Sequence, residues 1–359
     1  MNLEHHTRPR SAFPNVSQRF SLSTSEGERA GLRGSIRAAL ERRAFLKLLL
    51  PAGLATLLSE LAPAADSSAE NSAAGRQKHD RKFVVGHRGA CAYAPENTLE
   101  SYRLAIQQHA DYVEQDLQIT KDGVLVCCHD TSLERISNVR DVFPDRFTEE
   151  TVKGQPVKRW YFHQFTLKEI KQLDAGAWFD PKFKGVTIPT WQEAIDAIKG
   201  KAGLCPETKG PEFYGRLGFD MEALVTEALK KNGLEKPGAV PATPILLQSF
   251  SPASLKKLRN HHGLRLPMLQ LAAAGAKWTP ETLAEIKTYA DAVGPDKKDV
   301  TTALVQAAHA AGLQVVAYTF RARDVKGFKD VSEEMRHYLN TIGLDGMFTD
   351  NPDKFPREK

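Results

Sequence analysis

The sequence predicts an α/β fold, a closed (β/α)8 TIM barrel with a subdomain inserted between its second and third barrel units. Three observations predict it. Short runs rich in β-branched residues alternate with stretches of helical period from Phe83 nearly to the C-terminus, and such alternation builds a parallel sheet with helical crossovers. About eight strand–helix units follow one another, the number at which such a sheet closes into a barrel. The alternation fails once, between Thr131 and Pro189, where a polar stretch carries Trp160, Tyr161, Phe162, Phe165, Trp178, Phe179 and Phe183. That stretch is too long for an ordinary loop and reads as an inserted subdomain capping the active face.

In chain order, residues 1–64 read as a leader. Arg42-Arg43-Ala44-Phe45-Leu46-Lys47 precedes an uncharged run, Leu48 to Ser59, and then Ala62-Pro63-Ala64. Twin arginines, an apolar stretch and a small-x-small site are together similar to a bacterial Tat export signal, so a periplasmic or secreted protein cleaved near Ala64 is expected. The length of chain before the arginine pair is unusual for such a leader. The apolar run is shorter than the roughly 20 residues a membrane span needs, so no stable span is expected in the mature protein. Residues 65–81, rich in Ala, Ser and charge, read as a linker. Residues 82–356 read as the barrel, with the insertion at 131–189.

Within the barrel, strands are expected at Phe83–His87, Tyr112–Gln118, Val124–His129, Gly203–Glu207, Ile245–Ser249, Pro267–Leu271, Ala292–Gly294, Val315–Thr319 and Gly346–Thr349. Helices are expected at Thr98–Gln108, Trp191–Lys199, Met221–Lys231, Pro252–Asn260, Pro280–Thr288, Val300–Ala311 and Val331–Thr341. The four cysteines, Cys91, Cys127, Cys128 and Cys205, have no zinc-type spacing, and the adjacent pair projects to opposite faces of a strand. Free, mostly buried thiols are expected.

The formal net charge of +5 suggests a polyanionic partner only until it is divided. Residues 1–64 hold nine Lys and Arg against five Asp and Glu, which supplies +4 and leaves +1 for the remainder. A nearly neutral body argues against nucleic acid as a partner.

The residues that carry chemistry cluster at predicted strand ends. Glu114 and Asp116, two apart in a strand, face the same way, and two neighbouring carboxylates repel unless a cation lies between them. Glu207 offers a third from another strand end. Three carboxylates without cysteine or imidazole favour a hard divalent cation, Ca²⁺ or Mg²⁺, over zinc. His87 and His129 each end a hydrophobic strand, and strand carboxyl ends gather at a barrel's catalytic mouth. Two imidazoles flanking a carboxylate pair suit an acid and a base. Arg88 and Lys209 supply positive charge for a phosphodiester and its more highly charged transition state. Glu96 and Asn97 sit in a turn before a helix with Thr98 as its cap; capping chemistry and a role in orienting His87 or the metal shell both fit them. Gln248, Phe250 and Tyr318 end later strands, where they could touch the alcohol part of a substrate or simply pack. The whole set suits phosphodiester hydrolysis on a metal.

Taken together, His87-Arg88-Gly89, Pro95-Glu96-Asn97-Thr98, Glu114-x-Asp116, Asp122-Gly123 with His129-Asp130, Glu207-Thr208-Lys209 and the closing Asp345-Gly346 to Thr349-Asp350-Asn351-Pro352 resemble the glycerophosphodiester phosphodiesterase family. The likeness covers roughly residues 83 to 353, and the insertion looks like that of the periplasmic bacterial branch. The resemblance implies His87 and His129 as the acid–base pair and Arg88 on the phosphate. It implies Glu114, Asp116 and Glu207 on one metal ion, Ca²⁺ ahead of Mg²⁺, and Lys209 on phosphate or substrate. The implied reaction converts a glycerophosphodiester such as glycerophosphocholine to sn-glycerol 3-phosphate and an alcohol. The residues leave open whether water or the substrate's neighbouring hydroxyl attacks first. A phospholipase D-like lyase or lysophospholipase D on the same barrel is the alternative. A non-catalytic diester-binding protein is disfavoured, because it would not need both histidines.

Overall fold

The computed structural model describes residues 81–357, so the twin-arginine leader and the linker up to residue 80 lie outside the described residues. The chain enters at β1 (Phe83–Gly86) and crosses through α1 (Leu99–Gln107) to β2 (Tyr112–Ile119). It then turns back as β3 (Leu125–Cys127), antiparallel to β2. Residues 131–189 carry α2 (Val139–Val142), a largely exposed hairpin of β4 (Thr148–Val152) and β5 (Gln155–Arg159), and α3 (Leu167–Ile170). Next come α4 (Trp191–Ile198), β6 (Gly203–Thr208), α5 (Pro211–Arg216), α6 (Met221–Lys231), β7 (Leu247–Ser249) and α7 (Pro252–Lys256). The remainder alternates as β8 (Met268–Leu271), α8 (Pro280–Lys287), β9 (Ala292–Gly294), α9 (Thr302–Ala310), β10 (Gln314–Phe320), α10 (Val331–His337) and β11 (Gly346–Thr349).

Eight strands, β1, β2 and β6 to β11, pair in parallel around a closed ring, and β11 meets β1 with Phe83 beside Gly346 and Gly86 beside Thr349. This is the (β/α)8 barrel. The expected strand Val124–His129 forms, but as β3 it is an extra, antiparallel strand on the flank of β2. Its direction matters for the site, because His129 is delivered by a strand running back toward the mouth rather than by the end of a barrel strand. Two helices stop short of their expected ends: α7 continues from Lys257 to His261, and α10 from Tyr338 to Ile342, as wider π turns. The apolar period persists through such a turn, so the pattern alone does not mark the change.

Period-two alternation sorts the barrel into an inside and an outside. Inward residues Phe83, Val85, Tyr112, Cys205, Leu246, Leu269, Leu271, Val316 and Phe348 form one buried apolar cluster, the plug of the barrel. The outward set, with Val84, Val113, Leu204, Leu247, Met268 and Val315, packs under the helices through Trp191, Ile195, Val225, Leu255 and Leu283 in the largest cluster. The next inward residues up β2, β6 and β7 are Glu114 and Asp116, Glu207, and Gln248, all buried. An apolar plug beneath and polar side chains above it thus follow from one alternation.

Residues 131–189 gather around their own cluster of Leu133, Ile136, Val139, Trp160, Phe162, Phe165, Ile170 and Leu173, joined by Val126 and Cys128 of the return strand and its end. Cys127 lies instead in the helix-covered barrel cluster, so the adjacent cysteines do face opposite sides. All four thiols are free, and Cys91 alone among them is not fully buried.

Candidate active site

The mouth of the barrel holds an open cavity of about 460 Å³ lined by His87, Arg88, Glu114, Asp116, His129, Glu207, Lys209, Gln248, Phe250 and Tyr318, together with Leu271, Thr319, Arg321 and Phe348. Ten of the twelve residues singled out in the sequence are thus in one place. Glu96 and Asn97 are not on the wall and act from behind it. No residue of 131–189 is among those lining the cavity; the segment packs around its own core and reaches the site through Arg135.

The β1–α1 turn is shaped to aim Arg88. Arg88 has φ +53° and Gly89 φ +86°, a left-handed pair for which glycine suits the second place. A Cβ on Gly89 would stand 2.4 Å from Ser101 Oγ on α1. With the turn so pressed, the Arg88 backbone N–H donates to Glu114 Oε2 at 2.9 Å, its guanidinium donates to Glu96 Oε1 at 3.0 Å, and its Nε lies 3.4 Å from Asp116 Oδ2. Thr98 caps α1 by accepting from Ser101 N–H, as Glu96-Asn97-Thr98 suggests.

Asn97, buried and at φ +55°, donates from Nδ2 to Asp116 Oδ2 at 2.8 Å and accepts at Oδ1 from the Asp116 N–H and from Tyr102 Oη. Gln248 Nε2 donates to Glu114 Oε1 at 2.9 Å, and its own Oε1 is buried with no hydrogen-bond partner. Lys209 Nζ stands 3.0 Å from Glu207 Oε1 and 3.7 Å from Asp116 Oδ1, as two-residue spacing along an extended chain requires. Phe250 and Tyr318 meet edge to face at 5.9 Å, and Tyr318 Oη donates to the Ala272 carbonyl.

The electrostatics are those of crowded acids short of positive charge. Burial pushes Glu114 well above the usual carboxylate range, with Asp116 and Glu207 adding to the push. Burial likewise lifts Glu207 to about 7, although Lys209 opposes it. Burial would raise Asp116 too, but Lys209, His129 and Arg88 hold it well below its ordinary value. One oxygen from each of these three carboxylates can be chosen so that all lie within 4.8 Å of one another. Ca²⁺ takes oxygens at about 2.3–2.6 Å, so oxygens on opposite sides of it are about 5 Å apart, and the set fits one hard cation.

The two histidines are held differently. His87 is buried; its Nδ1 hydrogen-bonds Asp350 Oδ1 at 2.7 Å and its Nε2 lies 3.8 Å from Glu114 Oε2. Burial pushes His87 below its ordinary value and Arg88 adds to this, against the carboxylate of Asp350. His129 follows β3, where the Cys128 N–H donates to the Asp116 carbonyl at 2.8 Å and so ties the return strand to β2. His129 Nδ1 pairs with Asp130 Oδ1 at 2.8 Å, Arg135 clamps Asp130 at 2.5 Å and Glu96 at 2.6 Å, and Glu96 binds Arg88.

Comparison with known proteins agrees with this geometry. The sequence profile of the glycerophosphoryl diester phosphodiesterase family matches residues 87–354. A glycerophosphodiester phosphodiesterase of Bacillus subtilis is 36% identical over 296 residues, covering 78% of this chain and 87% of that one. The chain belongs to the glycerophosphoryl diester phosphodiesterase family. As a member it is a phosphoric diester hydrolase. A glycerophosphodiester phosphodiesterase of Haemophilus influenzae is 32% identical, covering 80% and 92% of the two chains. Among solved structures, a phosphodiesterase of Oleispira antarctica in complex with the product sn-glycerol-3-phosphate superposes with a TM-score of 0.59 at 28% identity, over 76% of this chain and 94% of that one. A glycerophosphodiester phosphodiesterase of Agrobacterium tumefaciens gives 0.52 at 26% identity, over 76% and 98%.

Sequence reasoning left two residues beside His87 without a role. Asp350, buried after β11, holds His87, and Arg321 Nε and Arg323 Nη2 bind its other oxygen at 3.1 and 3.2 Å. The signal for Asp350 was the closing Thr349-Asp350-Asn351-Pro352 run. Arg321, one residue beyond β10, carries no local signal that separates it from a surface arginine.

Proposed function

We propose that this phosphodiesterase hydrolyses glycerophosphodiesters, glycerophosphocholine among them, to sn-glycerol 3-phosphate and an alcohol, using His87 and His129 as acid–base pair and a divalent cation on Glu114, Asp116 and Glu207. The observation that carries the reading is the charge of the cavity. With all three ionised, as a bound cation would hold them, the carboxylates against Arg88 and Lys209 leave the cluster one unit negative, with Asp350 balanced by Arg321. A divalent cation reverses the sign and makes the mouth attractive to a phosphodiester anion. The oxygen-only donor set favours Ca²⁺, then Mg²⁺. When bound, the ion supplies charge stabilisation to the phosphoryl oxygens.

The chain's own residues do the rest. Arg88, anchored through Glu96, and Lys209 offer N–H donors to the phosphate oxygens as negative charge grows on them. His87, with Nδ1 engaged by Asp350, presents Nε2 to the cavity. His129, with Nδ1 engaged by Asp130, presents its other nitrogen to the same space. One imidazole takes the proton of the attacking oxygen and the other returns a proton to the leaving alcohol, each shift typically contributing 10²–10⁴-fold in rate, by order of magnitude. Phe250, exposed at the rim, and Tyr318 offer an aromatic corner to the alcohol. The leader supports export to the periplasm or beyond.

The test is release of sn-glycerol 3-phosphate from glycerophosphocholine with Ca²⁺, then with chelator, beside His129→Ala. Metal-dependent release that the variant loses is expected. Release unchanged by chelator overturns the metal assignment, and turnover of lysophosphatidylcholine in place of glycerophosphocholine moves the chain to the lysophospholipase D alternative.

A further inference from the structure

Behind the carboxylate cluster lies a second group of metal-ligating atoms of different chemistry. His87 Nδ1, Cys91 Sγ and Asp350 Oδ1 all lie within 4.8 Å of one another. The individual distances are 2.7 Å from Nδ1 to Oδ1 and 3.8 Å from Sγ to Nδ1. We propose that these three atoms form an inhibitory site for a borderline-soft divalent cation, zinc or cadmium, which silences His87 without displacing the ion on Glu114, Asp116 and Glu207.

Donor chemistry separates the two sites. Imidazole nitrogen, thiolate and one carboxylate are what zinc selects, whereas the cluster in front offers oxygen alone. Size agrees as well. Tetrahedral ligands at about 2.0–2.3 Å from zinc are about 3.3–3.7 Å apart, so sulfur and nitrogen already stand near that spacing and Asp350 needs to withdraw from His87 by about half an ångström. Three protein ligands leave the fourth position to water. Asp350 is prepared for the role, because Arg321 and Arg323 both bind Oδ2 and leave Oδ1 to its partner. The Cys91 thiolate and the Asp350 carboxylate are the two anionic ligands of the set.

The consequence runs through the imidazole tautomer, and this step rests on the acid–base role proposed for His87. In the structure Nδ1 faces a carboxylate, so its proton belongs on that nitrogen and Nε2 keeps its lone pair toward the cavity. Binding forms bonds from the ion to Nδ1, Sγ and Oδ1. The Cys91 proton passes to solvent, and the neutral imidazole keeps its one proton on Nε2. There it no longer accepts a proton from substrate or water, so turnover stops with the oxygen site still filled.

Cys91 is the residue to change, because it does not itself line the cavity and the other three cysteines are fully buried. The full chain, saturated with Ca²⁺, is titrated with Cd²⁺ while glycerophosphocholine turnover and the ultraviolet thiolate-to-cadmium absorption are followed together. The expected result is loss of turnover as one equivalent develops the thiolate band. Cys91→Ser should keep basal turnover, lose the band, and need at least about tenfold more Cd²⁺ for half inhibition, the scale of losing a metal-site partner. Inhibition of Cys91→Ser at the same concentration as the parent, or inhibition with no thiolate band, overturns the proposal. The band is read without turnover, so a protein that shows it but cleaves no glycerophosphodiester keeps this site and loses the proposed substrate.

Discussion

Asn97 and Asp116 grip each other through two hydrogen bonds: Asn97 Nδ2 donates to Asp116 Oδ2 at 2.8 Å, and the Asp116 N–H donates to Asn97 Oδ1 at 3.2 Å. The first fixes the carboxylate and the second fixes the strand that carries it. Tyr102 Oη completes the amide by donating to the same Oδ1 at 2.9 Å.

Asn97→Ala should therefore weaken the metal site more than the chemistry. Losing a group that orients a ligand typically costs about 10–100-fold in metal affinity. The expected outcome is a Ca²⁺ activation midpoint raised by about that factor, with turnover at saturating Ca²⁺ within a few fold of the parent. A calcium titration of activity checks it. Equal midpoints for variant and parent would show that Asp116 orients itself.

Asp350→Asn tests the other support. The amide can present its NH₂ or its carbonyl to Nδ1, so it no longer fixes the imidazole with its lone pair toward substrate. Mis-set tautomers cost on the order of 10²–10⁴-fold in turnover. With Arg88 and Lys209 as the proposed phosphate donors, KM should stay within about threefold while kcat falls. Steady-state kinetics on glycerophosphocholine separate the two, and a fall confined to KM would place Asp350 in binding instead.

The parity of the strands was legible in the sequence because it is local. Glu114 and Asp116 share a face in any extended chain, and Lys209 shares one with Glu207, so the cluster needed only the strands to be found. His129 was legible as a residue but not as a geometry. Its strand is short and apolar like the others, and nothing in such a run reveals that it pairs antiparallel with β2 rather than taking a place in the ring. The supports of the site were hidden by distance along the chain: His87 meets Asp350 across 263 positions, and Gln248 meets Glu114 across 134. The core of residues 131–189 was legible as an aromatic excess, but its junction with the barrel was not, because it depends on β3, whose two faces serve two clusters.

Asp174 sets a local acid limit on that second region. Its Oδ1 accepts from the Gly176 and Ala177 N–H groups at 2.9 Å each, and its Oδ2 accepts from the Gly185 N–H at 2.8 Å, so one carboxylate closes the loop on itself. Burial alone would raise its pKa, but the three N–H groups together hold it below its ordinary value. Because the folded value lies below the unfolded one, the stabilisation is complete at neutral pH. It fades as pH drops under about 4 and is gone once pH passes below the folded value. Limited proteolysis between 174 and 185 should therefore speed up on acidification in the parent. Asp174→Ala should be cleaved faster already at neutral pH, with a flatter acid response. An unchanged acid response in the variant would assign the effect to other carboxylates.

Arg135 is the point where residues 131–189 touch the chemistry, and its removal should be felt at the substrate. It divides its guanidinium between Asp130, the partner of His129, and Glu96, the partner of Arg88. Arg135→Met keeps an unbranched apolar stem but deletes both ion pairs and the guanidinium that stands 5.7 Å over the Trp178 ring. Glu96, nearly buried, is then left with Arg88 alone and competes with phosphate for it. The pairs are partly exposed, so the loss should be modest, about 1 kcal/mol, or roughly three- to tenfold in kcat/KM. It should appear mainly as a higher KM, because the retained Asp130 still engages His129. Inorganic phosphate, competing for the same arginine, should inhibit the variant less than the parent. Equal phosphate inhibition in both would mean that Arg88 is held by Asp116 and Glu114 without help from this chain of charges.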